Sequence, residues 1–148
     1  MIQYSDDDLI EAPREVLWKL LGEHLDDTKI ATIHPLVQSQ TTVRRSDSEV
    51  VVDRVIDVRR KLKKSRWRFV LEPPEKFRWE ILESDGPWAS GTYLELKYEE
   101  VPNGTHITAR GSLTLVGLPF FLSQPRTVAT VLNDLRTEDV FYLRRYRY

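Results

Sequence analysis

The amino-acid sequence predicts an α+β fold, in which a curved antiparallel sheet of about seven strands wraps around a long C-terminal helix. Two short helices are expected between the first strand and the rest of the sheet. Three observations predict this order: a proline-initiated helix near the start, a long central series of segments that alternate apolar and polar residues, and a final segment with an apolar stripe at helical spacing. The 148 residues suffice for one domain with its own core, so we expect a single domain over residues 1–148.

The N-terminal region predicts one strand and two helices. Residues 2–12 form the expected strand, interrupted by an acidic triplet at residues 6–8. Pro13 opens a helix, because the missing N–H of proline costs nothing in a first helical turn, and Gly22 is the expected end. A second short helix over residues 25–33 ends before Pro35, since the residue preceding a proline is disfavoured in helical geometry. The first helix has an apolar stripe made of Val16, Leu17, Leu20 and Leu21.

The central region predicts strands joined by short turns. Asn103-Gly104 predicts a hairpin with positive φ at both positions, and residues 60–65 are expected as a basic turn or a strand edge. Strands with one apolar face and short connections are typical of an antiparallel meander. The expected strands are residues 37–45, 49–59, 66–71, 77–81, 92–98 and 107–115. Residues 119–146 predict the closing helix.

Composition excludes several classes of function. There are no cysteines, which removes disulfides, thiolate catalysis and cysteine-based metal sites. The three histidines lack a paired metal-ligand spacing, so we expect no metal and no cofactor. The net charge of −1 disfavours a nucleic-acid partner. We see no signal peptide and no apolar stretch long enough for membrane insertion, and we expect a cytoplasmic protein. The sequence does not indicate an oligomeric state.

Several motifs, in their order along the chain, resemble one known family. They are residues 12–18 (Ala-Pro-Arg-Glu-Val-Leu-Trp), which match an "ap-x-x-vw" start, then Pro35, Glu72-Pro73-Pro74, Asn103-Gly104-Thr105 and the closing helix. On these residues the chain resembles the START/polyketide-cyclase-like superfamily (SRPBCC), whose helix-grip fold is that of the major birch-pollen allergen.

The resemblance implies a deep, mostly apolar cavity between the sheet and the closing helix. Family members bind lipids, polyketides, quinones or similar compounds, so we expect binding or transport of a small hydrophobic ligand. The alternative is an enzyme of the polyketide cyclase or dehydratase type that uses an acid or base in the cavity. Fold alone does not choose between them, and no catalytic residue of any subfamily maps onto this sequence.

The residues expected to contact the ligand come from the apolar phase of the strands and from the closing helix. Arg54 is the exception among them, because it interrupts the apolar phase of residues 50–58 and an inward arginine binds a carboxylate or phosphate well. Its alternative roles are an internal ion pair or a shift of phase at a bulge, and for the apolar residues the alternative is ordinary core packing. The expected ligand-binding residues are Arg54, Trp67, Phe69, Trp79, Trp88, Leu94, Leu96, Tyr98, Val128 and Leu132.

Three further features have open alternatives. His34, before Pro35, is a candidate acid or base at the cavity mouth, and otherwise a surface histidine at a helix end; His24 and His106 are expected to be exposed. Ser90 and Thr92 lie on the inward phase and are candidates to orient a polar ligand group. The basic run over residues 59–66 is expected to be a solvated hairpin turn, and its alternative is a surface for nucleic acid or an anionic membrane.

Overall fold

The computed structural model describes residues 2–34, 37–58, 60–86 and 88–114. The predicted closing helix lies outside these residues, and so do Pro35, Val128 and Leu132. The described elements all belong to one compact unit, Met1–Val116. They are β1 (Ile2–Ile10), α1 (Arg14–His24), α2 (Ile30–Ile33), β2 (Val37–Arg45), β3 (Glu49–Val58), β4 (Lys61–Glu72), β5 (Lys76–Ser84), β6 (Tyr93–Val101) and β7 (Gly104–Leu113).

The strands form one seven-stranded antiparallel sheet in the order β1-β7-β6-β5-β4-β3-β2, which confirms the predicted sheet. Strands β2 to β7 follow one another as a meander, and β1 pairs with β7 along its whole length. The acidic triplet therefore does not interrupt the first strand as predicted. Asp7 pairs with Thr108 in the middle of the ladder, and a strand at the end of the sheet order tolerates charge because one of its edges is not paired within the sheet.

The two faces of the sheet differ in chemistry. We call the apolar one the inner face, and it is defined by Val50, Val52, Arg54 and Ile56 of β3, Ser65, Trp67 and Phe69 of β4, Phe77, Trp79 and Ile81 of β5, Leu94, Leu96 and Tyr98 of β6, and Ala109, Gly111 and Leu113 of β7. The opposite, outer face carries paired charges, among them Arg66 with Asp53 and Arg68 with Glu49. Alternation along each strand produces this separation.

Both helices differ from the predicted bounds. Helix α1 begins at Arg14, directly after Pro13, but it continues through Gly22 to His24. A glycine lowers helix stability without ending a helix, and Leu20 and Leu21 bury their side chains on the same helix. Helix α2 covers four residues only, Ile30–Ile33, because the Asp26 carboxylate accepts hydrogen bonds from the backbone N–H and hydroxyl of Thr28 and holds a turn there.

Two hairpins also differ from the prediction. Strand β4 begins at Lys61, five residues before the predicted start, so residues 61–65 belong to a strand rather than a turn, and Arg60 has a positive φ of 68°. In the β6–β7 hairpin Val101 pairs with Gly104, which leaves Pro102 and Asn103 as the turn residues. The predicted Asn103-Gly104 turn is therefore shifted by one position. Proline fixes φ near the value that the first turn position requires.

Candidate functional site

Arg54 is buried on the inner face between aromatic rings. The residue is 5% exposed, and its guanidinium carbon lies 4.9 Å from the ring centroid of Trp67 and 5.1 Å from that of Phe69. Val52 and Ile56, its neighbours on the same face of β3, are also buried. The guanidinium thus lies in an apolar, aromatic environment, where cation–π attraction is strengthened by loss of water.

A chain of hydrogen bonds holds Arg54 from one side. Its Nε–H donates to Oε1 of Gln40 at 2.7 Å, and Nε2 of Gln40 donates to Oδ1 of Asp27 at 3.0 Å. Asp27 also accepts from the backbone N–H of Thr42 at 2.7 Å and from its hydroxyl at 2.9 Å. Burial acts to raise the pKa of Asp27, but the hydrogen bonds from Gln40 and Thr42 outweigh it, so the pKa lies below its ordinary value. We call these four residues the Arg54 cluster.

Two histidines adjoin the Arg54 cluster. Nη2 of Arg54 donates to the carbonyl oxygen of His24 at 3.3 Å, and the His24 and His34 rings meet edge to face with centroids 6.2 Å apart. Burial, the charge of Arg54 and the neighbouring His24 together lower the pKa of His34 to about 3. Burial is also the largest cause that lowers the pKa of His24, whose Nδ1–H donates to the Leu20 carbonyl at 2.9 Å. Both imidazoles are therefore neutral at pH 7.

Aromatic side chains extend the site across the inner face. Trp67 and Trp79 lie with centroids 4.8 Å apart, and Nε1–H of Trp67 donates to the hydroxyl of Ser65 at 2.7 Å. Further along the sheet, Trp18 of α1 makes edge contacts with Phe77 and Tyr98 at 6.2 and 6.3 Å. The inner face thus combines the buried cation of Arg54 with two groups of aromatic side chains.

The predicted site residues fall into three groups. The buried members on the inner face are Arg54, Trp67, Phe69, Trp79, Leu94 and Tyr98, and Leu96 shares that face but is partly exposed. Trp88 is buried in the connection between β5 and β6. Val128 and Leu132 belong to the residues that the structure does not describe.

Two predictions about individual residues are wrong. Ser90 is exposed, and its hydroxyl donates to the Leu82 carbonyl at 2.8 Å rather than pointing inward. His24 is not exposed as expected, since its ring packs against His34. Thr92 is fully buried, but its hydroxyl is bonded to the backbone of Thr114, a structural role.

Gln40, Asp27 and Trp18 were not among the predicted site residues. Gln40 is a polar residue in a strand with an irregular register, and Asp27 precedes that strand in a turn. No feature of the sequence points to Gln40. Its importance follows from its burial, at 6% exposure, which only the structure shows.

Other possible sites in the described residues are less developed. An open pocket of about 400 Å³ lies between residues 11–13 and 100–104, and none of the predicted ligand-binding residues lines it. Within the described ranges no three His, Asp or Glu side chains are grouped as metal ligands. In the same ranges, every helix is too short or too polar to cross a membrane.

No protein-family model matches the sequence, and no curated protein is similar enough in sequence to match it. Solved structures match its fold. The di-domain aromatase/cyclase StfQ from the steffimycin biosynthetic pathway has a TM-score of 0.79 at 14% identity, over 98% of this chain and 50% of that chain. The present chain therefore spans half the length of StfQ.

Two further structures match over nearly the whole of both chains. Ara h 8.0201 has a TM-score of 0.75 at 13% identity, over 98% of this chain and 96% of that chain. A START superfamily protein from Mycobacterium smegmatis has a TM-score of 0.67 at 9% identity, over 98% and 99%. The sheet order, the two intervening helices and these matches agree with the motifs in the sequence: the described part of the chain has the same fold as StfQ, Ara h 8.0201 and the START superfamily protein.

Proposed function

We propose that the protein binds a small hydrophobic ligand of the lipid, polyketide or quinone type against the inner face, with Arg54 as the polar anchor. The observation that carries this proposal is the buried guanidinium of Arg54 beside the rings of Trp67 and Phe69. Ligand sites in proteins are largely apolar and aromatic, with a few polar groups that fix orientation. The inner face has this composition.

Arg54 is held in place by the protein itself, since it donates hydrogen bonds to Gln40 and to the carbonyl oxygen of His24. Burying a guanidinium costs several kcal/mol even when it is well hydrogen-bonded, and an apolar residue often packs at no such cost. The other inward positions of β3 are occupied by Val50, Val52 and Ile56. The proposal is that this arginine, besides its bonds to the protein, presents its positive charge and N–H groups to a carbonyl or carboxylate oxygen on an otherwise apolar ligand.

The hydrogen bonds of the Arg54 cluster orient the guanidinium before any ligand arrives. The bond from Nε to Gln40 fixes one edge of the guanidinium plane, and Asp27 in turn fixes the amide of Gln40. A donor that is already oriented loses less conformational entropy on binding, which raises affinity. The neutral histidines add polar, uncharged groups at the same place.

The structural neighbours support the proposal at the level of fold. The names of two of them describe an aromatase/cyclase of a biosynthetic pathway and a START superfamily protein. Both descriptions are compatible with an apolar or polyketide-like ligand on this sheet. Neither identifies a ligand for the present chain, because identities of 14% and 9% carry information on fold alone.

The second candidate, a cyclase or dehydratase that uses His34 as acid or base, has less support. The two histidines do lie beside Arg54, which would orient a substrate carbonyl. However, acid–base catalysis is most effective when the pKa of the group lies near the working pH, and that of His34 is lowered to about 3. Such a group accepts a proton weakly at pH 7, so we favour binding over catalysis.

Mass spectrometry of compounds extracted from natively purified protein tests this function. We expect a stoichiometric apolar compound bearing oxygen atoms in the wild type and in Arg66→Gln, and much less of it in Arg54→Gln. Arg66 is the matched control, because it is an arginine of the neighbouring strand that lies on the outer face and pairs with Asp53. A protein that carries no compound and takes up no added fatty acid, naphthoquinone or aromatic polyketide would overturn the proposal.

A further inference from the structure

We propose that the β3–β4 hairpin docks the protein on the surface of an anionic phospholipid bilayer. The basic hairpin is defined as residues 57–64, which contain five basic residues and one acidic residue. Val58 pairs with Lys61, so the chain reverses within two residues and the basic side chains are concentrated at one end of two long strands. This inference does not rest on the proposed ligand site.

The described cations of the basic hairpin form no ion pair with the described carboxylates. Farther along β4, Arg66 and Arg68 pair with carboxylates at 2.7 and 2.9 Å. Among the described residues, no carboxylate lies within ion-pair distance of the basic groups of the hairpin, which are those of Arg60, Lys61, Lys63 and Lys64.

The one acidic residue of the basic hairpin bonds to the backbone. The Asp57 carboxylate accepts a hydrogen bond from the backbone N–H of Arg60 at 2.9 Å. Within the described part of the chain the positive charge of the hairpin is therefore not balanced by ion pairs, and basic residues close to an anionic bilayer each strengthen attraction to it.

An exposed leucine lies among these cations. Leu62 is 65% exposed, more than Leu9, Val43 or Leu82, the other large apolar side chains on the described surface. Leu62 shares its face of β4 with Lys64, while its sequence neighbours Lys61 and Lys63 lie on the other face. A lysine can lay its aliphatic stem on an apolar surface and keep its ammonium group in water, so this pattern suits the boundary between headgroups and acyl chains.

The same region is less suited to nucleic acid. Sites for single-stranded nucleic acid stack bases on exposed aromatic rings, and residues 57–64 contain no aromatic residue. The adjacent Trp67 is 8% exposed and lies on the inner face with Arg54, so it offers no stacking surface. The net charge of −1 also differs from the basic balance of nucleic-acid proteins.

Vesicle co-sedimentation tests the docking surface. The full chain is mixed with vesicles of phosphatidylcholine and phosphatidylserine, or of phosphatidylcholine alone, at low and physiological salt. We expect binding to the anionic vesicles only, weakened by salt. Lys63→Gln/Lys64→Gln is expected to lower the partition coefficient by roughly 25-fold, at about fivefold per charge. Leu62→Ser is expected to lower it by roughly tenfold.

The matched control is Lys29→Gln/Lys97→Gln, which removes the same charge from two exposed lysines outside the hairpin and should bind like the wild type. Circular dichroism confirms that each variant is folded. Absence of binding to anionic vesicles would overturn the proposal, and so would an equal loss in the control and hairpin variants. Binding of a single-stranded oligonucleotide through the hairpin without vesicle binding would also overturn it, in favour of the nucleic-acid alternative.

Discussion

At the scale of single residues, His34 shows how the site controls charge. Burial, Arg54 and His24 hold the pKa of His34 at about 3, against an ordinary value of 6.5. As pH falls below 6.5, the unfolded chain binds a proton that the folded protein does not, and the free energy of unfolding decreases. The same sign applies to His24, whose pKa is also lowered.

We predict that stability falls between about pH 6.5 and about pH 4.5 because of these two histidines. Each histidine can lower the free energy of unfolding by at most about 1.4 kcal/mol per pH unit. In His34→Gln the slope should be clearly smaller. Urea unfolding at several pH values measures the slope for the wild type and for His34→Gln. Above pH 7 both histidines are neutral in the folded and unfolded protein, so a difference in the free energy of unfolding there reports lost packing rather than titration.

The window ends at about pH 4.5 so that protonation of acidic residues does not contribute to the measured slopes. The pKa values of Asp27 and Glu49 are lowered, so their stabilising contributions persist until the pH falls below the ordinary carboxylate values of 3.8 and 4.5. A His34→Gln curve parallel to that of the wild type would show that His34 is not held neutral in the folded protein.

The sequence anticipated the position of Arg54 but not its partners. Strict alternation in β3 puts Arg54 on the face of Val52 and Ile56, which follows from the strand period alone. Gln40 and Thr42 reach the same face because the register of β2 shifts between Val37 and Ser39. Such a shift is not encoded in a simple alternating pattern, so the polar half of the Arg54 cluster was not predictable.

At the scale of elements, helix and strand glycines have opposite roles. Gly22 lies in α1 with open space around the position of an added Cβ. Gly111 lies in β7 opposite Leu94, and an added Cβ there would collide with the backbone of Tyr93 and Leu94. The first glycine is a weakness in its element, whereas the second permits β6 and β7 to approach.

We therefore predict opposite effects of two alanine substitutions. Gly22→Ala should raise the free energy of unfolding by about 0.5–1 kcal/mol, because it improves helix propensity without a clash. Gly111→Ala should lower it by about 1–3 kcal/mol or more, because backbone atoms cannot move away easily. Urea unfolding of the two variants measures both effects, and a change of the same sign in both would contradict this account.

The strands were more predictable than the ends of the helices and the turns. Burial alternates regularly over residues 65–70 of β4 and 76–81 of β5, and packing of the inner face reinforces this alternation. Gly22 does not end α1, because the buried side chains of Leu20, Leu21 and Leu25 stabilise the helix and the turn that follows it. Local preferences of about 1 kcal/mol per residue are overridden by such tertiary contacts.

At the scale of the whole molecule, strands β3 and β4 carry both the proposed ligand anchor, Arg54, and the basic hairpin proposed to bind a bilayer. Arg54 pairs with Ser65, and four residues further along β3 the strand reaches Val58 at the tip. This separation is about 13 Å along the strand. A bilayer bound by the basic hairpin would therefore lie close to the proposed ligand anchor, and an apolar ligand would have a short path between them.

Fluorescence titration with 1-anilinonaphthalene-8-sulfonate tests the central claim most directly, because this probe joins an apolar aromatic body to an anionic group. We predict saturable binding to the wild type and to Arg66→Gln. Arg54→Gln should bind roughly ten- to a hundredfold more weakly, the range expected for losing a charged hydrogen bond of about 1.5–3 kcal/mol. Near-ultraviolet circular dichroism verifies that the fold is retained. An absence of saturable binding, or equal affinities in the two variants, would contradict a ligand site anchored by Arg54.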